Sequence, residues 1–161
     1  MSKTIIIGIS DLNIAYPPDV LVTYALGSCV GICLYDSKTK VAGLAHVMLP
    51  LSTEVKDKSN LAKFADTATL ELIKRMEKAG AEKGRLVAKL AGGAQMFALQ
   101  EGNEAFNIGK RNVIAAKQVL KNLNIRIIAE DTGLNYGRTV ELSPETGTLK
   151  VKAIAHGIKE I

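Results

Sequence analysis

A thiol and an imidazole stand in this chain at a spacing that allows nucleophilic chemistry. Cys29 follows Gly27-Ser28, and His46 comes seventeen positions later, near the end of the apolar run Leu44-Ala45-His46-Val47-Met48. A free cysteine titrates at about 8.5, so unassisted it is only a few per cent ionised at pH 7. An imidazole within hydrogen-bond reach is the usual means of generating the thiolate. The Gly27-Ser28 turn places backbone N–H groups where they can face a developing oxyanion. Thr23 lies on the preceding apolar run and could offer its hydroxyl or carbonyl to the far ring nitrogen of His46, fixing the tautomer. It would orient less strongly than a carboxylate, because it supplies no charge. Taken singly, Cys29 also reads as a small buried hydrophobe and His46 as a satisfied core histidine.

Two strands joined by a short turn would bring the pair together. The runs Cys29 to Tyr35 and Lys40 to Met48 flank Asp36-Ser37-Lys38-Thr39, which fits a hairpin. Residues 32 and 43 then sit close to the turn, with the Cys29/His46 pair further out. Thr4 to Ile9 reads as a first strand, and Leu21 to Leu26 as a second after Pro17-Pro18. Pro50 ends the His46 strand, and Leu51 to Asn60 is a polar surface loop. Leu61, Phe64, Ala65, Ala68, Leu72, Met76 and Ala79 recur at helical spacing between an Asn60 cap and a Gly80 terminator. Arg85 to Ala91 is a buried strand, and an irregular stretch runs from Gly92-Gly93 through Asn107. A second amphipathic helix covers roughly Gly109 to Leu123, with Val113, Ala116, Val119, Leu120 and Leu123 inward. Ile125 to Ala129 is a strand and Asp131 to Tyr136 a turn-rich loop. Arg138 to Leu142 and Thr148 to Ala155 form a closing hairpin. The expected architecture is a single domain over residues 1–161, an α/β (α+β) sandwich of mostly antiparallel strands layered with two helices.

Composition excludes several classes. With 161 residues, 47% of them apolar, the chain can bury a real core. Cys29 and Cys33 share one strand face about 13 Å apart, too far to bridge, which favours free thiols in a reducing, cytoplasmic setting. Cys33, flanked by apolar residues, reads as packing. No apolar run approaches the length of a membrane span. The net charge of +5 is scattered and no Trp is present, so nucleic-acid binding is not expected, and an acidic protein surface suits such a charge equally well. Cys29, Cys33, His46 and His156 are the only soft or imidazole metal ligands. Their spacing lacks a zinc pattern, so neither metal nor cofactor is expected.

Two further motifs stand out. In Gly92-Gly93-Ala94-Gln95-Met96-Phe97 the glycines allow close backbone approach or positive φ. The pair Met96-Phe97 is either tucked inward or an exposed apolar anchor for a protein partner. Asn107 in Asn107-Ile108-Gly109-Lys110-Arg111-Asn112 reads as a helix cap rather than as part of an anion site with Arg111.

Five segments together resemble the CheD family of chemoreceptor glutamine deamidases. They are Thr23 to Cys29, Ala45 to Pro50, Ala91 to Phe97, Asn107 to Asn112, and Ala129-Glu130-Asp131-Thr132-Gly133. The resemblance runs in order from about residue 4 to 152. The family pattern often carries a second glycine after Thr132-Gly133, where this chain has Leu134. The resemblance implies hydrolysis of glutamine side chains to glutamate on methyl-accepting chemotaxis receptors. It implies Cys29 as nucleophile, His46 as base and Thr23 as the orienting member. It further implies binding to the chemotaxis phosphatase CheC through the region of Gly92, Gly93, Met96 and Phe97. The implied fold is a sandwich related to the catalytic domain of the deamidating cytotoxic necrotising toxins. An alternative within the same fold is a binding module that tunes CheC with the thiol site idle. A receptor glutamine on a helix surface must reach the thiol from outside, so the site is expected to be shallow and exposed.

Overall fold

The computed structural model of the chain describes residues 2–96 and 107–161. Phe97 and most of the stretch expected to be irregular lie outside the described residues. Among the described residues, ten strands and two long helices form three layers. The strands are β1 (Thr4–Ile7), β2 (Asp11–Ala15), β3 (Val20–Leu26), β4 (Val30–Asp36), β5 (Val41–Val47), β6 (Val87–Gly92), β7 (Arg126–Thr132), β8 (Arg138–Leu142), β9 (Leu149–Ala153) and β10 (Gly157–Glu160). The helices are α1 (Ala65–Lys78) and α2 (Ile108–Asn122). An outer sheet runs β1-β3-β8-β9-β10, and a central sheet runs β2-β5-β4-β6-β7. Only β1–β3 and β6–β7 pair parallel, so the expected mostly antiparallel α+β sandwich is what the chain adopts.

Residue alternation places the layers. In β5, Val41, Ala45 and Val47 pack with Leu72 and Met76 of α1, while Ala42 and Leu44 face the outer sheet. In β4, Val30, Ile32 and Leu34 face the helices, and Cys33 and Tyr35 face the outer sheet. Both faces of the central sheet are therefore covered, which is why β5 reads as an unbroken apolar run and is buried along its whole length. Gly43 faces α1, where a side chain would collide with Leu72 and Met76. Leu21, Val140, Leu142, Leu149 and Val151 supply the outer sheet's half of the core between the sheets.

The structure departs from the sequence reading at several places. β2 and β10 were not expected. Both are edge strands, and β10 is exposed throughout, so no burial pattern marks it. Asn60 caps a separate 3₁₀ turn over Leu61–Lys63, accepting from the Ala62 N–H at 3.0 Å. The helix itself starts at Ala65, because Phe64 is extended and bridges Leu49. The β4–β5 turn lies one residue later than expected. Asp36 is a strand residue opposite Val41, and its carboxylate takes the Arg85 guanidinium and the N–H groups of Lys38 and Glu82. This moves the ladder by two: Ile32 pairs with Ala45 rather than with Gly43.

Candidate active site

Three chain segments meet where the chain passes from the outer to the central sheet. Thr23 comes from β3, His46 from β5, and Cys29 from the turn that links β3 to β4. β3 carries a bulge. Thr23 pairs with Val140 and Leu26 with Arg138, three steps on β3 against two on β8, and Ala25 takes φ +55°. Such an insertion bends a strand and re-aims its side chains. Here it turns β3 out of the outer sheet just ahead of Gly27-Ser28-Cys29.

The two-residue displacement of the hairpin preserves side-chain parity. His46 stands opposite Gly31, and Cys29 lies two positions along the same face. Diagonal neighbours of this kind are about 7–8 Å apart at Cα, within reach of a ring. Cys29 is half-buried against the core between the sheets, and His46 is 1% exposed.

Thr23 sets the state of the imidazole. Its Oγ1 lies 2.6 Å from the Ile7 carbonyl oxygen and 2.6 Å from His46 Nδ1. A carbonyl only accepts, so the hydroxyl proton points to Ile7 and its lone pair faces Nδ1. Nδ1 therefore carries the ring proton, and Nε2 is the basic nitrogen. Nε2 is buried and has no partner among the described residues. This contact ties the two sheets together, since Thr23 and Ile7 belong to the outer sheet and His46 to the central one.

Burial sets the electrostatics of the pair. Burial pushes the His46 pKa down to about 4 and pushes the Cys29 thiol up. Neither shift has a charge partner opposing it, and each favours the neutral form of its group. The ring nitrogen left without a proton is Nε2, and it has no hydrogen-bond partner among the described residues.

The turn that holds Cys29 is anchored at three successive carbonyls. Gly27 O accepts from Ala94 N at 2.8 Å, Ser28 O from Asn112 Nδ2 at 2.9 Å, and Cys29 O from Gly93 N at 2.8 Å. Gly92 and Gly93 are buried beneath it at φ +99° and +65°. A Cβ on Gly92 would stand 2.3 Å from the Cys29 oxygen, so that residue makes the close approach possible. Met96, 46% exposed, lies against Gly27.

The remaining candidates separate cleanly. Cys33 is buried opposite Leu44, and burial raises its pKa to about 12, so it packs. His156 is exposed and stacks on Tyr136 at 3.8 Å. Among the described residues no group of three or more His, Cys, Asp or Glu side chains is placed to hold a metal ion. Asn107 caps α2, accepting from Lys110 N at 3.1 Å, while Arg111 pairs with Glu54. Leu134, where the pattern often has glycine, keeps the glycine-like φ of +61°. Sequence reading missed Asn112, whose signal was a polar residue on the inward face of a helix. It also missed the pairing of Arg138 with Asp131 at 2.9 Å, a second polar tie between the sheets.

Comparison with known proteins places the chain in a family. Residues 48–153 match the family model for CheD, chemotactic sensory transduction. A probable chemoreceptor glutamine deamidase CheD of Caldanaerobacter subterraneus is 55% identical over 160 residues, 99% of each chain. A protein of the same description from Lachnoclostridium phytofermentans is 51% identical over the full length of both. The chemoreceptor glutamine deamidase CheD of Halalkalibacterium halodurans is 48% identical, again over the full length of both. The family match begins two residues beyond His46, but these relatives span Thr23, Cys29 and His46 as well. On both grounds the chain belongs to the CheD family.

Proposed function

We propose that this protein hydrolyses glutamine side-chain amides to glutamate on the signalling domains of methyl-accepting chemotaxis receptors in the cytoplasm. The observation that carries the reading is the Thr23–His46 contact. It leaves Nε2 as the basic nitrogen on the sheet face that also bears Cys29. The names of the full-length relatives supply the substrate class.

In this mechanism Cys29 Sγ attacks the amide carbon while His46 Nε2 takes the thiol proton. Negative charge develops on the amide oxygen and is met by the Cys29 N–H in the anchored turn. The imidazolium then returns the proton to the nitrogen, the C–N bond breaks, and ammonia leaves. Water, deprotonated by Nε2, adds to the thioester, and the thiol departs with that proton, leaving glutamate. Thr23 holds the ring throughout by accepting from Nδ1–H. The thiol is half-buried, with Met48 and Met96 exposed nearby. This suits a glutamine presented from a helix surface, because flexible methionines adapt to an apolar helix face.

CheC is the proposed regulatory partner, with Met96 and Phe97 in its contact. Gly92 and Gly93, expected in that contact, are buried and hold the thiol turn instead. Because Met96 rests on Gly27, a partner seated there would also cover the approach to Cys29. A thiol and an imidazole that burial shifts toward their neutral forms also suit a second reading, a binding module whose thiol is idle.

The test is incubation of purified receptor signalling fragments with the protein, scoring ammonia release and glutamine-to-glutamate conversion by mass spectrometry. Conversion that disappears in Cys29→Ala supports the reading. Binding of CheC with no conversion of any receptor fragment would replace it with the binding-module reading.

A further inference from the structure

Asn112 sits in the interior of α2 and is fully buried. Asparagine is a poor helix former, and a buried amide is costly unless bonded. Its inward neighbours Gly109, Ala115, Ala116 and Leu120 are small or apolar. Its Nδ2 donates to Ser28 O at 2.9 Å and to Met48 O at 3.1 Å. Ser28 immediately precedes Cys29, and Met48 lies two residues beyond His46. One nitrogen thus joins the turn that carries the thiol to the end of the strand that carries the imidazole. Both partners are carbonyls, which only accept, so the orientation of the amide is set.

The bond to Ser28 has a further geometric effect. The Ser28 carbonyl and the Cys29 N–H belong to one rigid trans peptide and point in opposite directions. Holding the carbonyl toward α2 aims the Cys29 N–H away from it. That N–H donates no hydrogen bond among the described residues. Gly27 O and Cys29 O are held by backbone N–H groups, so Asn112 is the one side chain in this set of anchors.

We propose that Asn112 is a positioning residue for the oxyanion hole, acting through the Ser28–Cys29 peptide. The inference rests on the amide hydrolysis proposed above, but its test does not require receptor substrate. A single amide nitrogen with two hydrogens is needed. Asp, Ala and Leu have no donor, and Ser has one.

Two probes of the same thiol separate positioning from general structure. Acylation of Cys29 by p-nitrophenyl acetate passes through a tetrahedral oxyanion, whereas alkylation by iodoacetamide does not. In Asn112→Ala, acylation should fall about 100-fold, the loss expected when one oxyanion donor is misplaced. Alkylation and its pH dependence should stay close to wild type. Receptor deamidation should lose kcat with little change in KM. In Asn112→Ser acylation should lie between wild type and Asn112→Ala.

Acylation by a folded Asn112→Ala at the wild-type rate would overturn the proposal. So would parallel loss of acylation and alkylation, which would show general collapse of the site. If Asn112→Ala melts below the assay temperature, Asn112→Ser is held to the same comparison. Failure of both variants to fold would make Asn112 a folding residue and overturn the assignment. A wild-type protein that acylates but deamidates no receptor would remove the proposed function, while the Asn112 comparison would still be decided by the two probes.

Discussion

Gly31 stands directly opposite His46 in the β4–β5 ladder, and Cys29 is diagonal to the imidazole rather than across from it. The position between thiol and ring along the strand therefore carries no side chain. A Cβ at Gly31 would lie 3.2 Å from Leu26 Cδ1 and 3.6 Å from Leu44 Cδ1, so the space is closed by packing rather than open. Leu44 lies on the same face of the central sheet as His46, and Leu26 closes the space from the outer sheet.

Cys29→Ala should abolish deamidation while leaving the fold intact, because it removes the nucleophile and only a small side chain. Loss of one member of such a unit can reach about 10⁶ in turnover. Activity within tenfold of wild type would sink the nucleophile assignment. Cys33→Ala should remain active, since its thiol is sealed between the sheets.

His46→Ala should disable turnover, and Thr23→Val should cost less, because it disturbs orientation rather than proton transfer. Thr23→Val also leaves the Ile7 carbonyl and the Nδ1–H unpaired in a buried site, at about 1–3 kcal/mol for each group. Urea unfolding measured beside turnover checks both effects. Equal turnover losses in the two variants would make Thr23 a support of local structure.

Activity and stability should both respond to acid through His46. Its pKa is depressed from 6.5 to about 4, so protonation at Nε2 removes the base only at low pH. Turnover should hold through neutral pH and fall below about 5, and free Cys29 should alkylate slowly at pH 7, because its thiol titrates above its ordinary value. A folded pKa below the unfolded one gives stability that is complete above 6.5 and is lost as the pH falls through 4. Asp36 adds a loss of the same sign at lower pH, because the Arg85 guanidinium and backbone N–H groups hold its carboxyl below the usual range. Thermal melts between pH 3 and 8 test this. Rapid alkylation at pH 6 would show instead a resting thiolate.

Leu134→Gly should stabilise the fold by up to about 1 kcal/mol. A non-glycine residue in the left-handed region pays about 1–2 kcal/mol, partly offset by the greater freedom glycine has when unfolded. Leu134 is exposed, so little packing is lost. A lower urea midpoint in the variant would show that the leucine makes a compensating contact.

Met96→Ala should weaken CheC binding more than basal deamidation, by tenfold or so if the methionine is an anchor of the interface. Phe97→Ala should act in the same direction. Titration of each variant with CheC, beside its melting temperature, separates an interface residue from a core one. A large drop in melting temperature with unchanged affinity would place the interface elsewhere.

Residue types and local periodicity were enough to mark Cys29, His46 and Thr23 as candidates and to suggest the Thr23–His46 contact that the structure holds. Alternation along β4 and β5 also gave the shared face of Cys29 and His46, which survives a two-residue slip because side-chain parity repeats every two residues. The slip itself was not legible. It brings Asp36 into the ladder, where Arg85 from the segment that follows α1 pairs with its carboxylate. β10 was hidden for a related reason, since only backbone pairing to β9 defines it.

The sequence by itself determined which groups could react, which elements carry them and which face they share, because these follow from side-chain chemistry and short-range pattern. The tertiary structure alone decided the tautomer, the burial of the pair and the aim of the turn. The Ile7 carbonyl that orients Thr23 comes from β1, the burial of the pair comes from stacking two sheets, and Asn112 reaches the turn from α2. Each is a contact between segments distant in the chain. Local pattern cannot specify such contacts, because they exist only once the layers have packed.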